Sequence, residues 1–220
     1  DTAYAGNERW LASTAVGAAD VPLIDDGTWH HYVIHLIRGV NLTNGPVYFK
    51  AEDWQGADAL AGNAYFGFVV TAANPAGLVS GIARVDANGV GTWASASFIA
   101  GDAAIEKVAM NSAPALSPDG KTVYIAVNTA AVAGTVQAGY LVALDSSTFA
   151  VQARTVLVDP STAGLPARIS DDSSASPTVG PDGDVYFGVL ERTFGSHNAR
   201  GWLLHFDAAL AAAGAPGGFG

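Results

Sequence analysis

Two stretches of the chain are near copies of one another: NSAPALSPDGKTVYIAV begins at Asn111 and ASPTVGPDGDVYFGVLE begins at Ala175. A shorter third copy, GNAYFGFVV, begins at Gly62. Aligned on these segments, Tyr65, Tyr124 and Tyr186 fall 59 and then 62 residues apart, each with a small residue two positions on (Gly67, Ala126, Gly188). A second set of markers keeps the same spacing, with SGIARVD, GYLVALD and GWLLHFD ending in Asp86, Asp145 and Asp207. Two independent markers sharing one period define an internal repeat of about sixty residues.

The local chemistry of each repeat is that of β-strands. PDGK and PDGD are hairpin turns, because Pro presets φ and Gly accepts the positive φ of a tight connection. The flanking runs are short and rich in Val, Ile, Tyr and Phe. In TVYIAV, Val123, Ile125 and Val127 share one face while Tyr124 and Ala126 share the other, and both faces are apolar. Such a strand must be covered on both sides, and the small residue beside each Tyr marks where a neighbouring sheet can approach closely. Antiparallel sheets packed face to face and repeated about an axis predict an all-β fold, a β-propeller of four-stranded antiparallel blades. A parallel β-helix has shorter coils without DG hairpins, and a sandwich does not explain the period.

Composition agrees with a tightly turned globule: 50% of residues are hydrophobic, 14% are charged, and Gly and Pro number 26 and 10. Twenty acidic against ten basic residues give a formal charge of −10 with no basic cluster, which disfavours nucleic acid as a partner. With no cysteine there are no disulfides, thiolate nucleophiles or sulfur-based zinc sites. No run approaches the length of a membrane span. The opening DTAYAGNERW lacks the basic and apolar regions of a signal peptide and could be a processed mature end or an arbitrary boundary.

ALDSST supplies Ala143, Asp145 and Thr148 of a blade motif that reads approximately A-x-D-x-x-T-G-K-x-x-W, with Phe149 in place of its Gly. VDANGVGTW has Asp86, Gly89 and Trp93 one residue short of that spacing, and HFDAAL keeps Asp207. Over residues 60–210 the chain thus resembles the β-propellers related to pyrroloquinoline-quinone (PQQ) enzymes and their non-catalytic outer-membrane assembly relatives. The resemblance implies a propeller of an exported bacterial protein, periplasmic or extracellular, and a non-catalytic member or a fragment of one.

Divided at this period, the chain holds a leader over residues 1–40, with a strand of a preceding blade near His30–Ile37, and about three blades near 41–100, 101–160 and 161–220. Propellers close with about four to eight blades. Three blades predict an incomplete ring, completed by a partner chain or a missing segment, with a compact four-bladed ring as the alternative.

The most function-like loop is LERTFGSHNARG, residues 190–201, whose Arg192, His197, Asn198 and Arg200 are the candidate ligand-binding residues; Glu191 lies beside them. Arg can hold a carboxylate bidentately and His can exchange protons near neutral pH; the competing expectation is a solvated loop whose charges pair internally. His31 and His35 share a strand face but lack a third ligand with suitable spacing, so no metal site is assigned. Asp159 in VDPSTAG and Asp171 and Asp172 in ISDDSSAS are acidic connections where calcium is possible and turn capping is the default. No G-x-S-x-G elbow or phosphate-binding Gly loop is present, catalytic residues stay unknown, and no cofactor is assigned. The tryptophans fit blade packing, and NLT at Asn41 matters only in a eukaryotic secretory host.

These observations favour a non-enzymatic binding or scaffolding propeller whose partner, a protein, polysaccharide or small ligand, sits at the axial opening. The alternatives are a PQQ- and calcium-dependent quinoprotein dehydrogenase, and a propeller lyase or hydrolase of acidic polysaccharide using His197 and Arg200.

Overall fold

A computed structural model describes residues 31–36, 47–52, 63–70, 77–86, 90–109, 112–162, 164–171, 175–192, 201–214 and 217–219. They form fourteen strands in three antiparallel sheets, none of them closed on itself, and one short helix. The all-β expectation holds. The first sheet runs β1 (His31–Leu36), β2 (Val47–Glu52), β3 (Ala64–Phe68), β4 (Gly81–Val85) and β5 (Gly91–Ser95) in simple order. The strand β1, expected to belong to a preceding blade, is an edge of the same sheet as β2–β5 and pairs with β2 from His31 opposite Glu52 to Leu36 opposite Val47.

The helix α1 (Ala96–Ala100) joins the first sheet to the second. Ser95 caps it by accepting from the Phe98 amide, Gly101 ends it at φ 64°, and Ala96, Ile99 and Ala100 are buried. Gly at that left-handed position is the usual helix stop. The second sheet contains β6 (Ile105–Val108), β7 (Ala115–Leu116), β8 (Thr122–Thr129), β9 (Gly139–Asp145) and β10 (Val151–Val156). Both β6 and β7 pair with the same edge of β8, at its end and its start respectively, so they are two pieces of one interrupted strand. The third sheet, β11 (Thr178–Val179), β12 (Val185–Leu190), β13 (Gly201–Phe206) and β14 (Gly217–Phe219), repeats the interruption: Arg168 bridges Leu190 at the far end of β12 while β11 pairs its start.

The repeat markers occupy equivalent places. Tyr65, Tyr124 and Tyr186 begin the second full strand of each unit, opposite Arg84, Ala143 and His205. PDGK and PDGD form the turns before these strands, with Gly120 at φ 70° and Gly183 at φ 90°. Asp86, Asp145 and Asp207 each open the turn to the next strand. The carboxylate of Asp86 accepts from the Val90 amide, that of Asp145 from Ser147 and Thr148, and that of Asp207 from Ala209 and Ala211.

The Tyr-bearing face of each of the first two sheets packs on the sheet that follows. Tyr65 and Ile82 are buried with Val123, Ile125, Val127 and Phe149 of the second sheet. Tyr124, Ala126 and Leu141, from the other face of that sheet, are buried with Phe187, Leu204 and Leu210 of the third. Residues 123–127 alternate between these two cores as their spacing predicts. The close approach expected at the small residue is literal at Gly67, where an added Cβ would stand 2.6 Å from Val108 Cγ1.

One hydrogen bond recurs at both junctions. The Tyr65 hydroxyl donates to the Ser146 carbonyl and the Tyr124 hydroxyl to the Ala208 carbonyl, each at 3.0 Å, and each acceptor is the residue after a marker Asp. The same turns hold two non-Gly residues with positive φ, Phe149 at 58° and Leu210 at 61°, both buried. Phe149 meets Tyr65 edge-to-face with ring centroids 6.3 Å apart. The turn needs a left-handed residue, and here an apolar side chain uses that position as a plug between sheets.

Two substitutions test this packing by denaturant unfolding. Left-handed strain at a non-Gly residue costs about 1–2 kcal/mol, whereas loss of a buried Phe costs about 3–5 kcal/mol. Phe149→Gly is therefore expected to destabilise the protein by less than Phe149→Ala, which loses the ring and keeps the strain; the opposite order would show that the plug carries no strain. Gly67→Ala is expected to cost about 1–3 kcal/mol through overpacking against Val108, while Gly91→Ala, with nothing within 4 Å of its Cβ, should stay within about 0.5 kcal/mol of the parent.

Candidate functional site: the loop rim

The PDG turns of the second and third units and the Asp-opened turns of all three lie at one end of the strands, and the connection between the second and third full strands lies at the other. These connections are residues 69–80, 130–138 and 191–200. The functional loop picked out in the sequence is thus the third member of a set of equivalent loops. Of its four candidate ligand-binding residues, the structure describes Arg192; His197, Asn198 and Arg200 lie outside the described residues.

Arg192 is anchored. Its amide donates to Asp159 Oδ2 at 2.7 Å and its Nη1 to the Pro166 carbonyl at 3.3 Å. Asp159 is buried, and its Oδ1 accepts from the Ser161 amide at 2.8 Å and hydroxyl at 2.6 Å. Burial pushes the Asp159 carboxyl up, but hydrogen bonds from Ser161 and the Arg192 amide outweigh this and hold it below the ordinary carboxylate range. Asp159 is a turn cap, the default expected of it, and it ties the segment after β10 to the exit of β12. Glu191 and Arg168 are buried beside this anchor.

Asp171 is the hub of a second network. Its Oδ1 accepts from Lys107 Nζ and, at 3.0 Å, from Asn128 Nδ2; its Oδ2 accepts from Gln137 Nε2 at 3.0 Å. Asn128 also donates to the Ile169 carbonyl at 2.9 Å, and Gln137 to the Thr129 carbonyl at 3.2 Å. Burial raises the Asp171 carboxyl, while the donors Asn128, Lys107 and Gln137, with the Lys107 charge, lower it further, so the net displacement is downward. Asn128 is fully buried and Gln137 nearly so. Asp172 and the side chains of His31 and His35 lie outside the described residues.

Beside Asp171 opens a recess of about 400 Å³ lined by residues 131–135 of the second loop with Gln137, Ser170 and Asp171. Val132, Val158 and Leu165 are exposed along the same end. The rim thus combines small apolar surface with polar groups already fixed by hydrogen bonds, a combination suited to binding. Among the described residues no three His, Asp or Glu side chains converge on a metal-sized site. No described helix is long and apolar enough to cross a membrane.

Sequence reading located Asp159, Asp171 and Arg192 but missed Lys107, Asn128 and Gln137. The latter stand in ordinary strand and loop contexts, and only the fold brings Lys107 beside Asp171, 64 positions away. No family model matches the chain, and no curated protein matches it.

The lowered carboxyls of Asp171 and Asp159 fix the sign of an acid response. A group with a depressed folded pKa contributes stability above its unfolded value, about 3.9 for Asp, and loses it as pH falls through that value toward the folded one. Unfolding free energy is expected to decline below about pH 4. Asp171→Asn should cost about 1–3 kcal/mol at neutral pH and flatten part of that decline; an acid profile identical to the parent's would remove Asp171 from this role.

Proposed function

We propose that the chain is a non-enzymatic binding or scaffolding module, with its three sheets acting as blades of a β-propeller-type ring and the loop rim as its contact surface. The observation that carries the reading is the asymmetry of the rim. Among the described residues, Asp171 with Lys107, Asn128 and Gln137, and Asp159 with Arg192, hold loops in place. An acid, base or nucleophile of an active site would instead point an available group at a substrate. Among the described residues of the rim, the recess and the apolar Val132, Val158 and Leu165 are exposed.

A shallow recess of mixed polarity, with Val132 beside Thr135, Gln137 and Ser170, suits a polypeptide segment that inserts a small apolar side chain and hydrogen-bonds to the rim, so a protein partner is the favoured class. The resemblance to the quinoprotein-related propellers, and with it export to a bacterial periplasm or cell exterior, is part of this proposal.

Affinity capture from the source organism tests it. The immobilised chain should retain a specific partner that Val132→Asp loses and that Lys121→Ala, at the opposite end of the strands, keeps. Capture indifferent to Val132 would dismiss the rim as the contact surface. Binding of PQQ with calcium, followed by dye-linked alcohol oxidation, would favour the dehydrogenase alternative.

A further inference from the structure

The Tyr-bearing faces of the three sheets carry the same pattern but are not equally covered. Opposite the small residue two after each Tyr stands an apolar residue: Ile82 opposite Gly67, Leu141 opposite Ala126 and Leu203 opposite Gly188. Ile82 and Leu141 are 0% exposed beneath the following sheet, whereas Leu203 is 43% exposed. Tyr65 and Tyr124 are buried and bonded to the turn of the next sheet. Tyr186 is half-buried and stacks on His205, with rings 4.5 Å apart at 11°, while His205 Nε2 lies 2.6 Å from Asp184 Oδ2. Among the described residues, no sheet covers this third face.

The two formed junctions show what such a face accepts. Each Tyr-bearing face meets the opposite face of the next sheet: Tyr65 and Ile82 are buried with Val123, Ile125 and Val142, and Tyr124 and Leu141 with Val185, Phe187 and Leu204. The turn opened by that sheet's marker Asp supplies the carbonyl that the Tyr hydroxyl reaches, at Ser146 and at Ala208. At the first junction a second donor joins in, since Arg84, the cross-strand partner of Tyr65, donates from Nη1 to the same Ser146 carbonyl at 3.4 Å. His205 holds the position of Arg84 opposite Tyr186, so a second polar side chain stands beside the tyrosine there too. A second copy of this chain has no such cover to offer. The opposite faces of its second and third sheets are already used in its own junctions, and on the opposite face of its first sheet Phe66 and Phe68 are 1% and 3% exposed.

We propose that the Tyr186 face docks a different polypeptide, one that presents the open apolar face of an antiparallel β-sheet together with an Asp-opened turn. Continuity with the two formed junctions selects this occupant: a face with the same spacing of Tyr, small residue and apolar cross-strand residue takes the same kind of cover. The docked sheet approaches closely over Gly188 and removes Leu203 from water, and the carbonyl after its turn Asp accepts from the Tyr186 hydroxyl. An exposed apolar position at the centre of a patterned face is the usual mark of such a contact. The inference rests on the reading of the three sheets as members of a stack that continues, and is independent of what the loop rim binds.

Photocrosslinking of the full chain in its source organism tests it, with the exposed Leu203→p-benzoylphenylalanine as the probe and mass spectrometry of the crosslinked peptide as the readout. The expected product is a strand segment of another polypeptide that leads into an Asp-opened turn. Tyr186→Phe, which keeps the stacked ring and removes the hydroxyl, should lower the yield about fivefold to tenfold, the loss of one hydrogen bond. Phe98→p-benzoylphenylalanine, at an exposed residue of α1, should not give that peptide. A parallel sample carrying Val132→Asp separates the two surfaces: a crosslink retained there stands apart from rim binding, and one lost there assigns the contact to the rim and overturns the proposal. A crosslink to a second copy of this chain, to a segment without such a turn or to nothing, or a yield indifferent to Tyr186→Phe, would overturn it as well.

Discussion

The stack is organised by a tyrosine that reaches across from one sheet to the turn of the next. At each formed junction the hydroxyl sits deep between two apolar faces, where an unmet donor would cost about 1–3 kcal/mol. Its acceptor is held still because the preceding Asp carboxylate ties down the amides of the same turn. The following left-handed residue, Phe149 or Leu210, then fills the space beside the ring. Hydrophobic area supplies most of the adhesion between sheets, but area is indifferent to sliding. A directional bond from a fixed donor to a fixed carbonyl is not, so this contact sets how one sheet is placed on its neighbour.

Much of that device could be read before any coordinates. The spacing of Tyr and Asp reflects a strand pair of constant length, since Tyr always pairs with the residue two before Asp. The small residue after Tyr signalled close approach, and Val108 against Gly67 is the contact that enforces it. Phe149 read as a departure from a motif that has Gly there; the backbone keeps the left-handed angle Gly would favour and adds a buried ring. Three features were not legible. The five-residue α1 is too short for a helical periodicity, and the two-residue strands β7 and β11 look like loops because half of their strand is supplied from elsewhere in the chain. The polar network was invisible for a related reason: Lys107, Asn128, Gln137 and Asp171 each obey local strand or loop chemistry, and only sheet packing makes them neighbours.

The aspartates divide into two populations with different work. Asp86, Asp145 and Asp207 cap turns at the end where sheets grip one another. Asp159 and Asp171 act at the opposite end, where they fasten connections between units. In Asp145, Asp159 and Asp171 donors hold the carboxyl ionised at neutral pH. The excess of acidic residues is thus partly structural, a consequence of using carboxylates as acceptors for backbone amides, and the net charge of −10 need not describe the preference of a ligand.

This division also explains where such a chain can vary. The turn end is constrained twice, by its own hairpin geometry and by the neighbouring tyrosine, so its length and its left-handed residue cannot drift independently of the adjacent sheet. The connections over 69–80, 130–138 and 191–200 differ in length and composition. A loop anchored only at its base can change its tip at little cost to stability. Asp159 beneath Arg192, and Asp171 beneath the second loop, are such bases: they fix where the loop leaves the sheet. The opposite end is already occupied in holding the stack together, which is the physical reason the proposed contact surface is placed at the rim.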